Sequence, residues 1–259
     1  MPNQHDAKII VHWLNKSRGQ RIIWLLEELK LEYEIKTYKR DENMRAPPEL
    51  KEVHALGKSP VISIEAPGLE QPLVLAESGA IVEYLYDYFG REQLPQRYAA
   101  GNDGKLGAEN KAWIQYRYLM HYAESSLMPN LLVSLVTSSI RDAPVPFFIK
   151  PIPRKIADTV DGKYTKPEIE SHLKFLEEML GKAPAGDFFC GATVSGADIM
   201  IIFVLEAAMQ GKFLTETSHP KLYKYVRNIQ GLESYKKAGD RVTEASGEKF
   251  VPFSEAGRQ

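Results

Sequence analysis

Cysteine is almost absent: Cys190 is the single one in 259 residues. That excludes an intrachain disulfide framework and any CxxC redox or zinc motif. No run of about 20 predominantly apolar residues occurs, the length a membrane-crossing helix needs. The most apolar region, residues 127–149, is interrupted by Arg141, Asp142, Pro144 and Pro146. The opening Met1-Pro2-Asn3-Gln4-His5-Asp6 has no basic segment leading into an apolar one, so no secretory signal is expected. Neither sign of charge dominates, with 33 Lys and Arg against 34 Asp and Glu. Such balance argues against a nucleic-acid binder with its basic face. No HxxxH or Cys/His cluster gives metal spacing, and no glycine-rich phosphate loop occurs. The expectation is a metal-free protein of the reducing cytoplasm.

What is present suits a globular chain. Hydrophobic residues make up 44% and charged residues 26%, and the length allows one to two domains with a substantial core. Residues 7–13, AKIIVHW, are rich in β-formers and predict a buried strand. Residues 21–31 carry Ile22, Ile23, Leu25, Leu26 and Leu29 at helical spacing. Residues 33–38 alternate as a second strand, and 59–65 and 73–76 add two more around a Pro67-Gly68 turn. Residues 78–89 read as a helix with Ile81, Val82, Leu85 and Tyr86 on one face. A helix between the first two strands implies a parallel pair, and the Pro-Gly turn an antiparallel one. Residues 1–90 are therefore expected to form a mixed four-stranded sheet with helices packed on it.

Residues 91–107 are polar and aperiodic and read as a linker. Helical patterns follow over 108–130, 167–180, 196–210 and 219–229, so residues 108–245 are expected to be all-helical. Residues 141–163, with Pro144, Pro146, Pro151 and Pro153, read as a long irregular connection of a kind that is functional or disordered. The tail, 246–259, is expected to fray.

Three places combine backbone donors with charge. Pro60 opens a strand after Gly57-Lys58, which suits a cis X-Pro bond. Such a bond would turn the Ser59 backbone to the sheet edge, where an extended peptide could add as a strand. An edge-strand proline that only blocks aggregation is the alternative, and the residues alone weigh the two evenly. Glu77-Ser78-Gly79 opens a helix, with Ser78 expected at the N-cap, where free N–H groups and the helix dipole attract a carboxylate. A simple cap is the plainer reading of Ser78 in isolation. The first strand runs through Asn15, Lys16, Ser17 and Arg18 into a helix. A thiol brought there would be shifted toward thiolate by a hydroxyl donor and a positive dipole. Ser195 and Asp198 fit a capping box, a folding feature, and Cys190 reads as a small packed residue.

Four stretches together resemble a known family. They are VHWLNKSRGQRIIWLLEEL with YEIKTYKRD, then RAPPELKEVHALGKSPVI, then LAESGAIVEYL, and finally FFCGATVSGADIMI. In this order they are similar to cytosolic glutathione transferases, closest to a fungal type with a WL-x-x-SR opening and RAPPELK. The resemblance implies a thioredoxin-like N-terminal domain followed by an all-helical one. It assigns Ser59 to the cysteinyl part of glutathione, Glu77 to the γ-glutamyl ammonium and Ser78 to the α-carboxylate. Lys58 would reach the glycyl carboxylate, with His54 as helper. The loop holds neither Tyr nor Cys, so the thiol-activating residue departs from the best-known classes. Alignment leaves Ser17 and Asn15 as candidates, Ser17 favoured, with Arg18 supplying charge and a backbone N–H as a third option.

The implied activity is conjugation of reduced glutathione, the co-substrate, to hydrophobic electrophiles in detoxification, by a cytoplasmic homodimer with no metal. A glutathione-dependent peroxidase or reductase and a non-catalytic glutathione-binding relative are the alternatives. Residues 1–90 contain eleven Lys and Arg against fourteen Asp and Glu, so an anion site in that domain must be local. Acceptor specificity is expected from the helical domain, where Tyr116, Tyr118, His121 and Tyr122 lie on one helix. Residues 141–163, with Phe147 and Phe148, could lid the acceptor site or extend a dimer contact.

Overall fold

The computed structural model describes residues 4–183 and 187–256. β-branched runs build the first sheet: β1 (Lys8–Leu14), β2 (Tyr33–Tyr38), β3 (Val61–Glu65) and β4 (Leu73–Ala76) lie in the order β2-β1-β3-β4. β1 and β2 are parallel, with α1 (Gly19–Glu28) crossing between them, while β3 runs antiparallel to both β1 and β4. Val11 sits at the centre, opposite Ile35 on one side and Ile62 on the other, and is wholly buried. A short α2 (Glu49–Val53) and α3 (Ser78–Phe89) complete this half.

α1 is buried on nearly every face, from Gly19 to Glu27. It earns that burial by lying between the sheet and the helical domain, against α8 (Gly196–Gln210) and α10 (Glu233–Ser246). α8 is the spine of the second half. Ile199, Ile201, Ile202, Val204 and Leu205 are wholly buried, as expected for a helix apolar all round. One continuous apolar core therefore runs through both halves.

The helical half departs from expectation in three ways. The helix expected over 108–130 is instead α4 (Lys111–Tyr122), a five-residue π turn (Ala123–Leu127) and α5 (Met128–Arg141). A second π turn, Asp161–Thr165, joins α6 (Pro151–Val160) to α7 (Lys166–Gly181). Each π turn is followed by a proline, Pro129 or Pro167, in the next helix's first turn. Proline lacks an N–H and its ring clashes with the carbonyl four residues back, so the turn before it widens. The connection expected to be irregular holds α6, whose Pro151 and Pro153 lie in the first turn, where no N–H needs an intrahelical partner. Finally, α10 lies beyond the expected helices, and the tail is packed rather than frayed as far as Ala256, while residues 257–259 lie outside the described residues. Phe253 packs tilted against Phe203, ring centres 4.7 Å apart, and Gln210 Nε2 donates to the Ala256 carbonyl at 2.7 Å.

Candidate functional site

The loop between β1 and α1 meets the start of β3. Ser17 and Ser59 hydroxyls stand 3.2 Å apart, Gly19 N–H donates to Ser17 Oγ at 3.1 Å, and Ser59 Oγ donates to the His12 carbonyl at 3.2 Å. The Ser59–Pro60 bond is cis. A Cβ at Gly19 would come within 3.1 Å of Ser17 Oγ and 3.2 Å of Ser59 Oγ, so a larger residue would press on both hydroxyls. Asn15 points elsewhere. Its side-chain oxygen accepts from Arg40 N–H at 3.0 Å and its carbonyl from Arg40 Nε at 3.1 Å, fastening the loop to the end of β2.

α3 starts on the same side. The first i→i−4 bond runs from Ile81 N–H to the Glu77 carbonyl, so Glu77 is the N-cap, one position earlier than the Ser78 expected, and Ser78 is the first helical residue. The N–H groups of Ser78, Gly79 and Ala80 thus have no helical acceptor, which makes an anion site of this terminus. Glu77 holds φ 71° and ψ 116°, a conformation rare for a non-glycine residue and costing on the order of 1–3 kcal/mol. Its side chain is exposed, whereas Ser78 is buried. Lys58 is exposed after Gly57, whose φ of +56° and 2.7 Å approach to Lys51 Cγ admit no larger residue. His54 ends α2, half-buried, with Nδ1 accepting a long 3.4 Å bond from Leu56 N–H.

Two arginines connect these places to the helical domain. Arg21 is wholly buried, and its Nη1 donates to Ser78 Oγ at 3.2 Å and to Glu124 Oε1 at 2.7 Å. Burial lowers its pKa to about 10, and the Glu124 carboxylate opposes that fall, so the guanidinium stays charged at neutral pH. Arg18 Nε lies 3.0 Å from Glu124 Oε2. Both guanidiniums lie over the Phe203 ring, at 5.9 Å and 5.3 Å. Glu124 belongs to the first π turn, so the widened helix faces the Ser17 loop with a carboxylate.

Cys190 and the capping box lie apart, at the N-terminus of α8. The Asp198 carboxylate accepts from Ser195 N–H, Ser195 Oγ, Phe189 N–H and Tyr225 Oη at 2.7–3.1 Å. Burial, then the nearby Asp198 charge, pushes the Cys190 thiol up to about 12, which leaves it unreactive. Among the described residues no group of three or more His, Cys, Asp or Glu could hold a metal ion, and no helix is long and apolar enough to cross a membrane.

Residues 8–87 match the family description of the glutathione S-transferase N-terminal domain, and residues 149–237 that of the C-terminal domain. Glutathione S-transferase 1 of Saccharomyces cerevisiae is 35% identical over 242 residues, covering 93% of this chain and 98% of that protein. The chain belongs to the glutathione S-transferase family. Glutathione S-transferase 3 of Schizosaccharomyces pombe is 30% identical over 90% of this chain and 88% of that protein. Among solved structures, a glutathione S-transferase of Actinobacillus pleuropneumoniae has a TM-score of 0.66 at 26% identity, covering 95% of this chain and 98% of that one. A Phanerochaete chrysosporium glutathione transferase, solved with oxidized glutathione, has a TM-score of 0.64 at 19% identity, covering 95% and 99%.

In this glutathione S-transferase the sequence-predicted residues divide plainly. Ser17 and Ser59 are brought together, and Ser78 is joined to them through Arg21, Glu124 and Arg18. Asn15 is turned onto Arg40, Glu77 and Lys58 are exposed, and His54 is half-buried. Sequence reasoning missed Arg21 and Glu124. An arginine directly ahead of the apolar run Ile22–Leu26 in the predicted first helix was the available signal for the first. The second comes from 103 residues away along the chain.

Proposed function

We propose that this glutathione S-transferase conjugates reduced glutathione to hydrophobic electrophiles, holding the thiol as thiolate beside Ser17. The observation that carries this reading is the Ser17–Ser59 hydroxyl pair, 3.2 Å apart at the N-terminus of α1. Gly19 N–H already supplies Ser17 Oγ with a donor, which favours Ser17 turning its own hydrogen to an arriving sulfur. Thiolate at neutral pH requires lowering a thiol pKa from about 8.5, at about 1.4 kcal/mol per unit. A hydroxyl donor, a helix N-terminus and the Arg18 guanidinium together are of that scale.

In this reading Ser59 pairs with the cysteinyl backbone, and Ser78 with the free N–H groups of α3 receives the α-carboxylate. Glu77 takes the ammonium, and Lys58, helped by His54, the glycyl carboxylate. The Asn15 side chain, engaged by Arg40, holds the loop in shape. Leu132, Leu135 and Val136, exposed on α5 about two to three turns beyond Glu124, offer apolar surface for an electrophile. The relatives' names and the glutathione-bound structures in the family support the ligand. A homodimer working in the cytoplasm in detoxification completes the proposal.

The test is turnover of glutathione with a chlorodinitrobenzene and with cumene hydroperoxide. Aryl transfer is the expected result. Hydroperoxide reduction without aryl transfer would assign a peroxidase instead. Glutathione binding without turnover on a broad electrophile panel would mark a binding relative.

A further inference from the structure

Arg21 is wholly buried, yet its Nε and Nη2 nitrogens have no hydrogen-bond partner among the described residues. Nη1 makes all the bonds, to Ser78 Oγ at 3.2 Å, Glu124 Oε1 at 2.7 Å and Met200 Sδ at 3.7 Å. Buried donors without an acceptor are costly, most of all on a charged group, so something other than oxygen must meet them. The charge is unevenly matched as well. Arg18 Nε lies 3.0 Å from Glu124 Oε2, so one carboxylate serves two guanidiniums.

Phe203 of α8 is the group that both cations share. Its ring centroid is 5.3 Å from Arg21 Cζ and 5.9 Å from Arg18 Cζ, inside the about 6 Å over which a ring face attracts a cation. The negative face of the ring needs no directed lone pair, so it can meet guanidinium nitrogens that no oxygen reaches. The attraction is stronger out of water, and Phe203 is only 5% exposed. Plain core packing would be served as well by the Ile, Val and Leu that fill the rest of α8. Phe203 is instead the one aromatic residue of that helix, and it stands where both guanidiniums meet it. Phe253 packs tilted against the ring, and the segment carrying Phe253 is tied down by Gln230 Nε2 donating to Ser254 Oγ at 2.9 Å. The ring therefore cannot turn away without displacing that segment.

We propose that Phe203 is a positioning residue for glutathione: its ring face holds the Arg21 and Arg18 guanidiniums, and Arg21 in turn orients the Ser78 hydroxyl toward the α-carboxylate of the ligand. The inference rests on the glutathione reading given above. Phe203 acts through Arg21 rather than on the ligand itself. Without the ring face Glu124 alone directs Arg21. The bond to Ser78 Oγ, at 3.2 Å against 2.7 Å to Glu124, is then the one given up.

The experiment is calorimetric titration of glutathione into the full chain and into versions with mono-, di- and trifluorophenylalanine in place of Phe203. Fluorine withdraws charge from the ring face and nearly preserves its shape, so a purely structural role would not follow the series. Affinity is expected to fall with each fluorine, to roughly fivefold weaker for the trifluoro ring. Phe203→Leu, which keeps an apolar contact and loses the face, should weaken binding about tenfold. In a Ser78→Ala background the same substitution should cost about twofold or less, because the group it positions is gone. Should Phe203→Leu fail to fold, the fluorinated series decides alone. Equal affinity across that series, or an undiminished Phe203→Leu loss in the Ser78→Ala background, overturns the proposal while leaving glutathione as the ligand. Absence of glutathione binding by the unaltered protein would overturn the underlying reading, and this inference with it.

Discussion

Arg21, wholly buried in α1, donates from Nη1 to the hydroxyl of Ser78 at the start of α3, across 3.2 Å. The bond fixes the Ser78 oxygen as an acceptor and so leaves its hydrogen to donate outward. It also sets a guanidinium behind the free N–H groups of α3, adding positive charge to a helix N-terminus. Glu124 in the helical domain balances that guanidinium at 2.7 Å and holds Arg18 as well. The carboxylate-binding end of the proposed glutathione site is thus braced from the second domain.

Ser78→Ala follows directly from this arrangement. It removes the outward donor and leaves Arg21 Nη1 with Glu124 as its remaining oxygen partner. A hydrogen bond to a charged group is worth about 1.5–3 kcal/mol, so glutathione affinity should fall by roughly tenfold or more. Isothermal titration calorimetry reads this, and unchanged affinity would remove Ser78 from the carboxylate role.

Ser17 and Asn15 are separated by a second measurement. The ultraviolet absorbance of bound glutathione against pH reports its thiolate. Ser17→Ala should raise the thiol pKa by about one unit, corresponding to about 1.4 kcal/mol. Asn15→Ala should shift it less and instead loosen the loop, since its oxygen serves Arg40 N–H. If neither substitution moves the titration, a backbone N–H is the activating group.

The first half was legible because its signals are local. Dense β-branched runs, the Pro67-Gly68 turn and the loops at Ser17, Ser59 and Ser78 each lie within a few residues. The second half hid its bends. Pro129 and Pro167 are the visible marks of the two π turns, yet proline in a helical pattern reads equally as a start or a stop. α10 buries Tyr235, Ala238, Gly239 and Val242, two of them too small to register as an apolar stripe. The Arg18–Glu124 and Arg21–Glu124 bonds had no local signal, since they join residues more than a hundred positions apart.

His12 gives the fold a pH dependence of known sign. Its Nδ1 meets Tyr38 Oη at 2.9 Å and its Nε2 meets Ser63 Oγ at 2.8 Å, tying β1 to β2 and β3. Burial, then the Lys36 charge, lowers its pKa from 6.5 to about 4. The folded state therefore takes up a proton later than the unfolded state. Its contribution is complete above pH about 6.5 and is lost as pH falls toward 4, amounting to about 3 kcal/mol. Urea midpoints of the unaltered protein should fall over that window relative to His12→Asn, and parallel curves would exclude the residue as the source.

Glu206 makes the sharpest stability prediction because three elements depend on it. Wholly buried in α8, it accepts from Gln20 of α1 at 2.5 Å, Gln230 of α9 (Pro220–Gly231) at 2.8 Å and Tyr235 of α10 at 2.6 Å. Burial raises its pKa, and the three donors oppose that rise. Glu206→Leu keeps the volume but strands buried donors from both domains, each costing about 1–3 kcal/mol. The loss should be about 3 kcal/mol or more, read as a lower urea midpoint. Glu206→Gln retains an acceptor and should lose markedly less. Gln20 belongs to the sheet domain and the other partners to the helical one, so the loss should appear in the single transition that their shared apolar core implies. A single transition with an unchanged midpoint would show that the network does not hold the domains together.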